Sequence, residues 1–155
     1  MAQNPIVNDA ATRERLTPAA VRAFLSLAGT WQLSVPEQVN LLGASVGRST
    51  LQNWARGRHA VLSADQLLRI SYLLGIHEGL QRIWRLHPHE AVAWIRRPNL
   101  ESPFDGMSPI DFALSGGILA LSAMRAWIDG ATGGPPSRVP EEMAKRGPRA
   151  LMVAE

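Results

Sequence analysis

Within residues 35–58 (VPEQVNLLGASVGRSTLQNWARGR) the side chains best equipped for chemistry are Ser49, Gln52, Asn53 and Arg56, flanked by Arg48 and Arg58. Each donates or accepts hydrogen bonds in the way that base edges and phosphate oxygens require. No carboxylate occurs from Ala44 to Ala64, so nothing along the stretch repels a polyanion. Helical spacing brings these groups together. Gly47, Leu51 and Trp54 recur three or four residues apart and share one face, which leaves Ser49, Gln52, Asn53 and Arg56 on the reverse. Burying the first face against a core presents the second. The pattern predicts two short helices around a tight turn at Gly43-Ala44-Ser45, with a reader helix over residues 46–56 that enters a DNA groove.

Other chemistry is poorly supplied. His87-Pro88-His89-Glu90 holds metal-ligand types, but Pro88 disfavours a helical histidine pair, no third ligand is evident and no His-Glu-x-x-His motif occurs. These residues are expected to form a helix N-terminal turn. Gly116-Gly117 precedes a helix, yet no phosphate-cradling glycine motif surrounds it. His59, His77 and Glu78 would matter only if the fold gathered them in a pocket. The reading is therefore of a non-enzyme, with no catalytic residue, metal or cofactor.

The elements that must position the reader follow from caps and periodicity. Residues 1–16 show no sustained period and are expected to form a flexible arm, in which Arg13 and Arg15 are available to phosphate. Thr17-Pro18 predicts the start of a first helix, with Val21, Phe24, Leu25 and Ala28 as its buried stripe and Gly29 as its end. Trp31 should seal a small core. Ser34 and Glu37 are spaced as a capping box, Gly43 stops the helix they open, and Gly57 suits the left-handed residue after the reader. Ser63 and Gln66 form a second box, opening a helix with Leu67, Ile70, Ser71 and Leu74 on one face. Gly75 and Gly79 are expected to break that helix, and another over residues 78–86 turns Leu80, Ile83 and Trp84 inward.

Further along, a helix is expected over residues 91–95 and turn-rich loop chemistry over residues 96–108. Ser108-Pro109 opens a helix that breaks at Gly116-Gly117. The last helix places Gly117, Ala120, Leu121, Met124, Trp127, Ile128 and Ala131 on one face, a core or a dimer seam, with Arg125 and Asp129 paired i, i+4 on its outside. No strand pattern and no repeat is evident, so the fold should be all-α. The expected division is an arm (1–16), a helix-turn-helix domain (17–86), a small helical module (87–134) and a flexible tail (135–155) that ends near the apolar cluster Leu151-Met152-Val153.

Composition fits this picture. With 46% hydrophobic residues in 155 the chain can bury a core, and the lack of Cys removes disulfides and thiolate metal sites. Residues 1–100 carry eleven Arg against six carboxylates, a net of +5, whereas residues 101–134 carry one Arg against four, a net of −3. The basic part suits a polyanion; the acidic part does not. Neither a signal-peptide pattern nor a bilayer-spanning run is present, which points to a cytoplasmic protein with no membrane partner.

Residues 17–75 resemble the Cro/phage-repressor type of helical domain, through Ser-Val-Gly-Arg-Ser-Thr-Leu-Gln-Asn-Trp at 45–54, Gly57 and the Leu-rich run at 67–76. The second half is similar to the toxin-binding region of the Xre/MbcA/ParS antitoxins. That likeness rests on Ala93-Trp94-Ile95, Pro98-Asn99, Phe104-Asp105-Gly106-Met107-Ser108-Pro109, Gly116-Gly117 and Arg125-Ala126-Trp127-Ile128-Asp129. Such a family implies a type II antitoxin that occludes a cognate toxin, commonly a RES-domain enzyme that destroys NAD, and represses its own operon by binding operator DNA. On this basis the toxin contacts are expected at Phe104, Asp105, Gly106, Pro109, Arg125, Asp129 and Gly130; the alternative for Phe104, as for Trp127, is that the ring fills the core, where large aromatics usually lie. A short reader makes few base contacts, so a homodimer on paired half-sites is also expected. The alternative is a stand-alone phage-type repressor whose C-terminal half only dimerises.

Overall fold

The computed structural model describes residues 9–132, and the expectations for residues 1–8 and 133–155 lie outside them. Those residues form helices α1 (Ala10–Thr30), α2 (Val35–Leu41), α3 (Arg48–Ala55), α4 (Ala64–Ile83), α5 (Pro88–Trp94) and α6 (Pro109–Thr132), with no strand. The fold is all-helical with an N-terminal helix-turn-helix. Two compact units divide between Leu74 and Gly75, inside α4, and not at the loop near residue 86 that the sequence suggested.

The first unit starts earlier than expected. Asp9, not Thr17, caps α1: its carboxylate accepts from the Thr12 amide at 3.2 Å and from the Thr12 hydroxyl. Residues 10–16 are therefore helical and not a loose arm. Pro18 sits inside the helix, where a proline costs about 3 kcal/mol in an otherwise regular turn. Thr17 is buried instead of capping; its hydroxyl donates to the Arg13 carbonyl (2.7 Å) and accepts from the Leu62 amide (3.1 Å). Gly29 does not end α1. The helix continues to Thr30, and Gln32 takes the left-handed position (φ 55°), with Leu33 N–H bonding Ala28 O and Gln32 N–H bonding Gly29 O.

Local chemistry elsewhere in this unit behaves as its residues require. Ser34 and Glu37 close their capping box at 2.8 and 3.2 Å. Gly43 (φ 77°) and Ala44 (φ 58°) turn the chain after α2, and a Cβ on Gly43 would come within 2.9 Å of the Arg69 guanidinium, itself paired with Asp65 at 2.8 Å. Val21, Phe24, Leu27, Trp31, Leu41, Leu42, Leu62, Leu67, Ile70 and Leu73 are buried.

In the second unit an aromatic cluster joins the buried aliphatic side chains, among them Ile76, Leu80, Ile95 and Ile128. Trp94 stacks on Trp127 (5.4 Å, 22°) and meets Phe104 edge-on (5.6 Å), while Phe104 also meets Phe112 (5.4 Å) and Trp127 (5.7 Å). Gly75 and Gly79 do not break α4. They leave a flat strip on it: a Cβ at Gly79 would fall 2.0 Å from Ile128 Cγ2, and one at Gly75 would fall 1.5 Å from an Arg125 guanidinium nitrogen. Two interior glycines cost roughly 1 kcal/mol each in helix propensity, and close approach of the last helix offsets it. Helix α6 bends at Gly117 (φ 62°, ψ −146°), as the glycine pair predicted.

Candidate nucleic-acid interface

Helix α3 is held by two side chains. Leu51 and Trp54 are buried, and Trp54 meets Phe24 of α1 edge-to-face at 6.2 Å and 87°. That contact fixes the rotation of the helix about its axis. Arg48, Ser49, Gln52, Asn53 and Arg56 are consequently exposed, together with Arg58 just beyond the helix. Gly47 does not belong to the buried face. It is exposed and occupies the N-cap, without a side-chain bond. Behind the helix Gly57 (φ 76°) reverses the chain, with Arg58 N–H on Asn53 O (2.8 Å) and Gly57 N–H on Trp54 O (3.0 Å).

Both flanks of α3 are anchored by polar side chains. On the entry side Ser45 Oγ donates to Leu42 O (2.7 Å) and accepts from Gln66 Nε2 (2.9 Å). Gln66 Oε1 also accepts from Ser63 N–H (2.9 Å), and Ser63 Oγ accepts from Gln66 N–H (3.1 Å), completing the expected box. On the exit side Leu62 N–H reaches Thr17. The Gln66–Ser45 bond was invisible in the sequence, since it joins residues that no local pattern relates.

The residues expected to meet a toxin are placed unevenly. Asp105 (φ 50°) is exposed and Gly106 (φ 100°) half-buried at the tip of a loop clasped by Asn99 N–H on Met107 O (3.0 Å) and Gly106 N–H on Asn99 O (2.7 Å). Phe104 and Pro109 are buried, so neither offers a surface contact; the ring of Phe104 fills the aromatic cluster. Arg125 and Asp129 form the expected pair at 3.0 Å, but the guanidinium lies against Gly75 and is not simply outside. Gly130 is half-buried. Of the face expected to be a core or a dimer seam, Leu121 and Met124 are buried within this unit and Trp127 is half-buried. What the sequence missed is the exposed mixture of Leu100, Met107, Glu101 and Asp111 around the same loop. Aperiodic loops carry no signal of which apolar side chain faces water. His87, His89 and Glu90 sit at the start of α5, where Glu90 pairs with Arg97 at 2.9 Å. Among the described residues no three His, Asp or Glu converge as metal ligands.

Comparison with known proteins bears on the first unit directly. Residues 11–75 match the model of the antitoxin Xre-like helix-turn-helix domain. Over 117 residues the chain is 38% identical to the uncharacterized protein y4oB of Sinorhizobium fredii (strain NBRC 101917 / NGR234), covering 76% of this chain and 87% of that protein. The chain belongs to one family with that protein, and its first unit carries an antitoxin Xre-like helix-turn-helix domain. No solved structure matches it. The matched domain contains all six candidate reader residues and both capping boxes, and an alignment of 117 residues must run on well past residue 75. The matched model describes the helix-turn-helix domain of Xre-like antitoxins, a regulatory DNA-binding type of domain. No helix among the described residues is long and apolar enough to cross a membrane.

Proposed function

We propose that the chain is the antitoxin of a type II toxin–antitoxin pair, which reads operator DNA with α3 as a dimer, represses its own operon, and occludes its toxin with the second unit. The observation that carries this reading is the exposed, carboxylate-free face of Arg48, Ser49, Gln52, Asn53, Arg56 and Arg58 in a domain of the Xre-like antitoxin family. For the second unit, support comes from the acidic balance of residues 101–134 and from the loop where Asp105 and Glu101 stand beside exposed Leu100 and Met107. An acidic rim around apolar side chains suits a toxin with a basic mouth, such as a RES-domain enzyme that binds NAD. Asp105, Gly106, Arg125, Asp129 and Gly130 are the proposed contacts that remain accessible at least in part.

The test is co-expression of the full chain with the product of the adjacent reading frame. The two should co-purify, and the chain should restore growth. The variant Asp105→Lys should lose protection while its DNA binding stays intact. A neighbouring frame that is harmless when expressed alone would instead favour a stand-alone repressor.

A further inference from the structure

The reader helix has little to hold its angle. It spans Arg48–Ala55, its N-cap glycine supplies no side-chain bond, and its packing rests on Leu51 and Trp54, which fix rotation about the axis better than tilt. Tilt depends on where the two flanks are tied. A run of hydrogen bonds ties them to neighbouring positions: Arg13 O receives Thr17 Oγ1, Thr17 Oγ1 receives Leu62 N–H, the adjoining Ser63 N–H meets Gln66 Oε1, and Gln66 Nε2 meets Ser45 Oγ, which donates to Leu42 O. Gln66 thereby does two jobs with two ends of one amide. Its oxygen caps α4, and its nitrogen holds the turn that leads into α3.

We propose that Ser45 and Gln66 are positioning residues for sequence reading: their bond sets the tilt at which α3 meets the major groove, without either side chain touching DNA. This rests on α3 being the DNA reader. A base-edge hydrogen bond weakens steeply once its angle is lost, whereas a phosphate contact through a flexible arginine tolerates the change. Loosening the turn should therefore erode discrimination and spare general affinity.

The experiment uses the full chain and a duplex selected by the wild-type protein from a random-sequence pool, with a scrambled duplex of equal length for comparison. Ser45→Ala removes the hydroxyl but leaves the Ser63–Gln66 box in place. It should lower the ratio of selected to scrambled affinity roughly tenfold, the size of one well-formed hydrogen bond. Scrambled-duplex affinity and its salt dependence should not change, and Ser45→Thr should restore the ratio. As a second variant, Gln66→Glu keeps an acceptor for Ser63 and loses the amide donor, so Ser45 Oγ can bond residue 66 only by withdrawing its one proton from Leu42 O. The added charge acts on both duplexes alike, so the ratio should fall again. An unchanged ratio in both variants overturns the proposal while α3 remains the reader. Equal loss on both duplexes for Ser45→Ala, with a flatter salt dependence, also overturns it by making Ser45 a phosphate contact. If selection by the wild-type protein returns no preferred sequence, DNA reading itself falls.

Discussion

Arg48 and Arg58 flank the reader helix, are exposed, and have no ion-pair partner among the described residues. Replacing both by alanine should cost no more than about 0.5 kcal/mol of stability, as for other surface positions without partners. Their effect on DNA binding is calculable. Each phosphate neutralised contributes about 0.9 to the slope of log affinity against log salt, so losing two flattens the slope by about 1.8. Between 50 and 200 mM salt, a fourfold change, the wild-type protein should then lose about twelvefold more affinity than the double variant does. Fluorescence anisotropy on labelled duplexes across that range reads the slope, and a thermal melt confirms folding. The loss should be equal on preferred and random sequences. Asn53→Ala supplies the contrast, because a base-edge contact should cost about 1–3 kcal/mol on the preferred sequence alone and leave the slope as it was. A double variant with an unaltered slope would show that these arginines stay in solvent and that α3 does not approach a duplex as argued.

Two further outcomes concern the second unit. Gly79→Ala drives a Cβ into Ile128, which is buried, so overpacking of about 1–3 kcal/mol should exceed the roughly 1 kcal/mol gained in helix propensity; the urea midpoint should fall. Burial lowers the pKa of His77 below its usual 6.5, only partly countered by the nearby Glu78 carboxylate. The unfolded chain therefore binds the proton more readily, so this contribution to stability is complete above about pH 6.5 and is lost as pH falls towards the lowered value. Urea titrations at descending pH should show that loss in the wild-type protein and less of it in His77→Gln.

The reader face was legible in the sequence because its determinants are local. Leu51 and Trp54 mark the buried stripe by spacing alone, Gly57 marks the reversal, and both serine-headed capping boxes close within four residues. Thr17, Gly75 and Gly79 depart from expectation for one cause, a local preference overridden by a distant partner. Thr17-Pro18 has the form of a helix start, yet Thr17 is drawn inside by Leu62 N–H and Asp9 opens the helix instead. Gly75 and Gly79 have the form of breakers, yet Arg125 and Ile128 occupy the space their missing side chains leave. Phe104 stands amid turn residues, where nothing in the order of the chain reveals that Trp94, Phe112 and Trp127 surround it.

Helix α4 shows why the boundary between the two units was misplaced. Its first turns answer to the reader: Ser63 and Gln66 cap it, Gln66 holds Ser45, and Arg69 lies over Gly43, whose positive φ favours glycine. From Gly75 onward the same helix answers to α6, and what is needed there is absence of side chains and not another apolar stripe. These two demands cannot be written as one amphipathic period, so a reading based on periodicity splits the helix at the glycines. The backbone hydrogen bonds of a helix continue through glycine at modest cost, and the chain uses that tolerance to change from one set of neighbours to another without a loop. A division inside a helix is therefore a product of packing, and no turn signal in the sequence could have marked it.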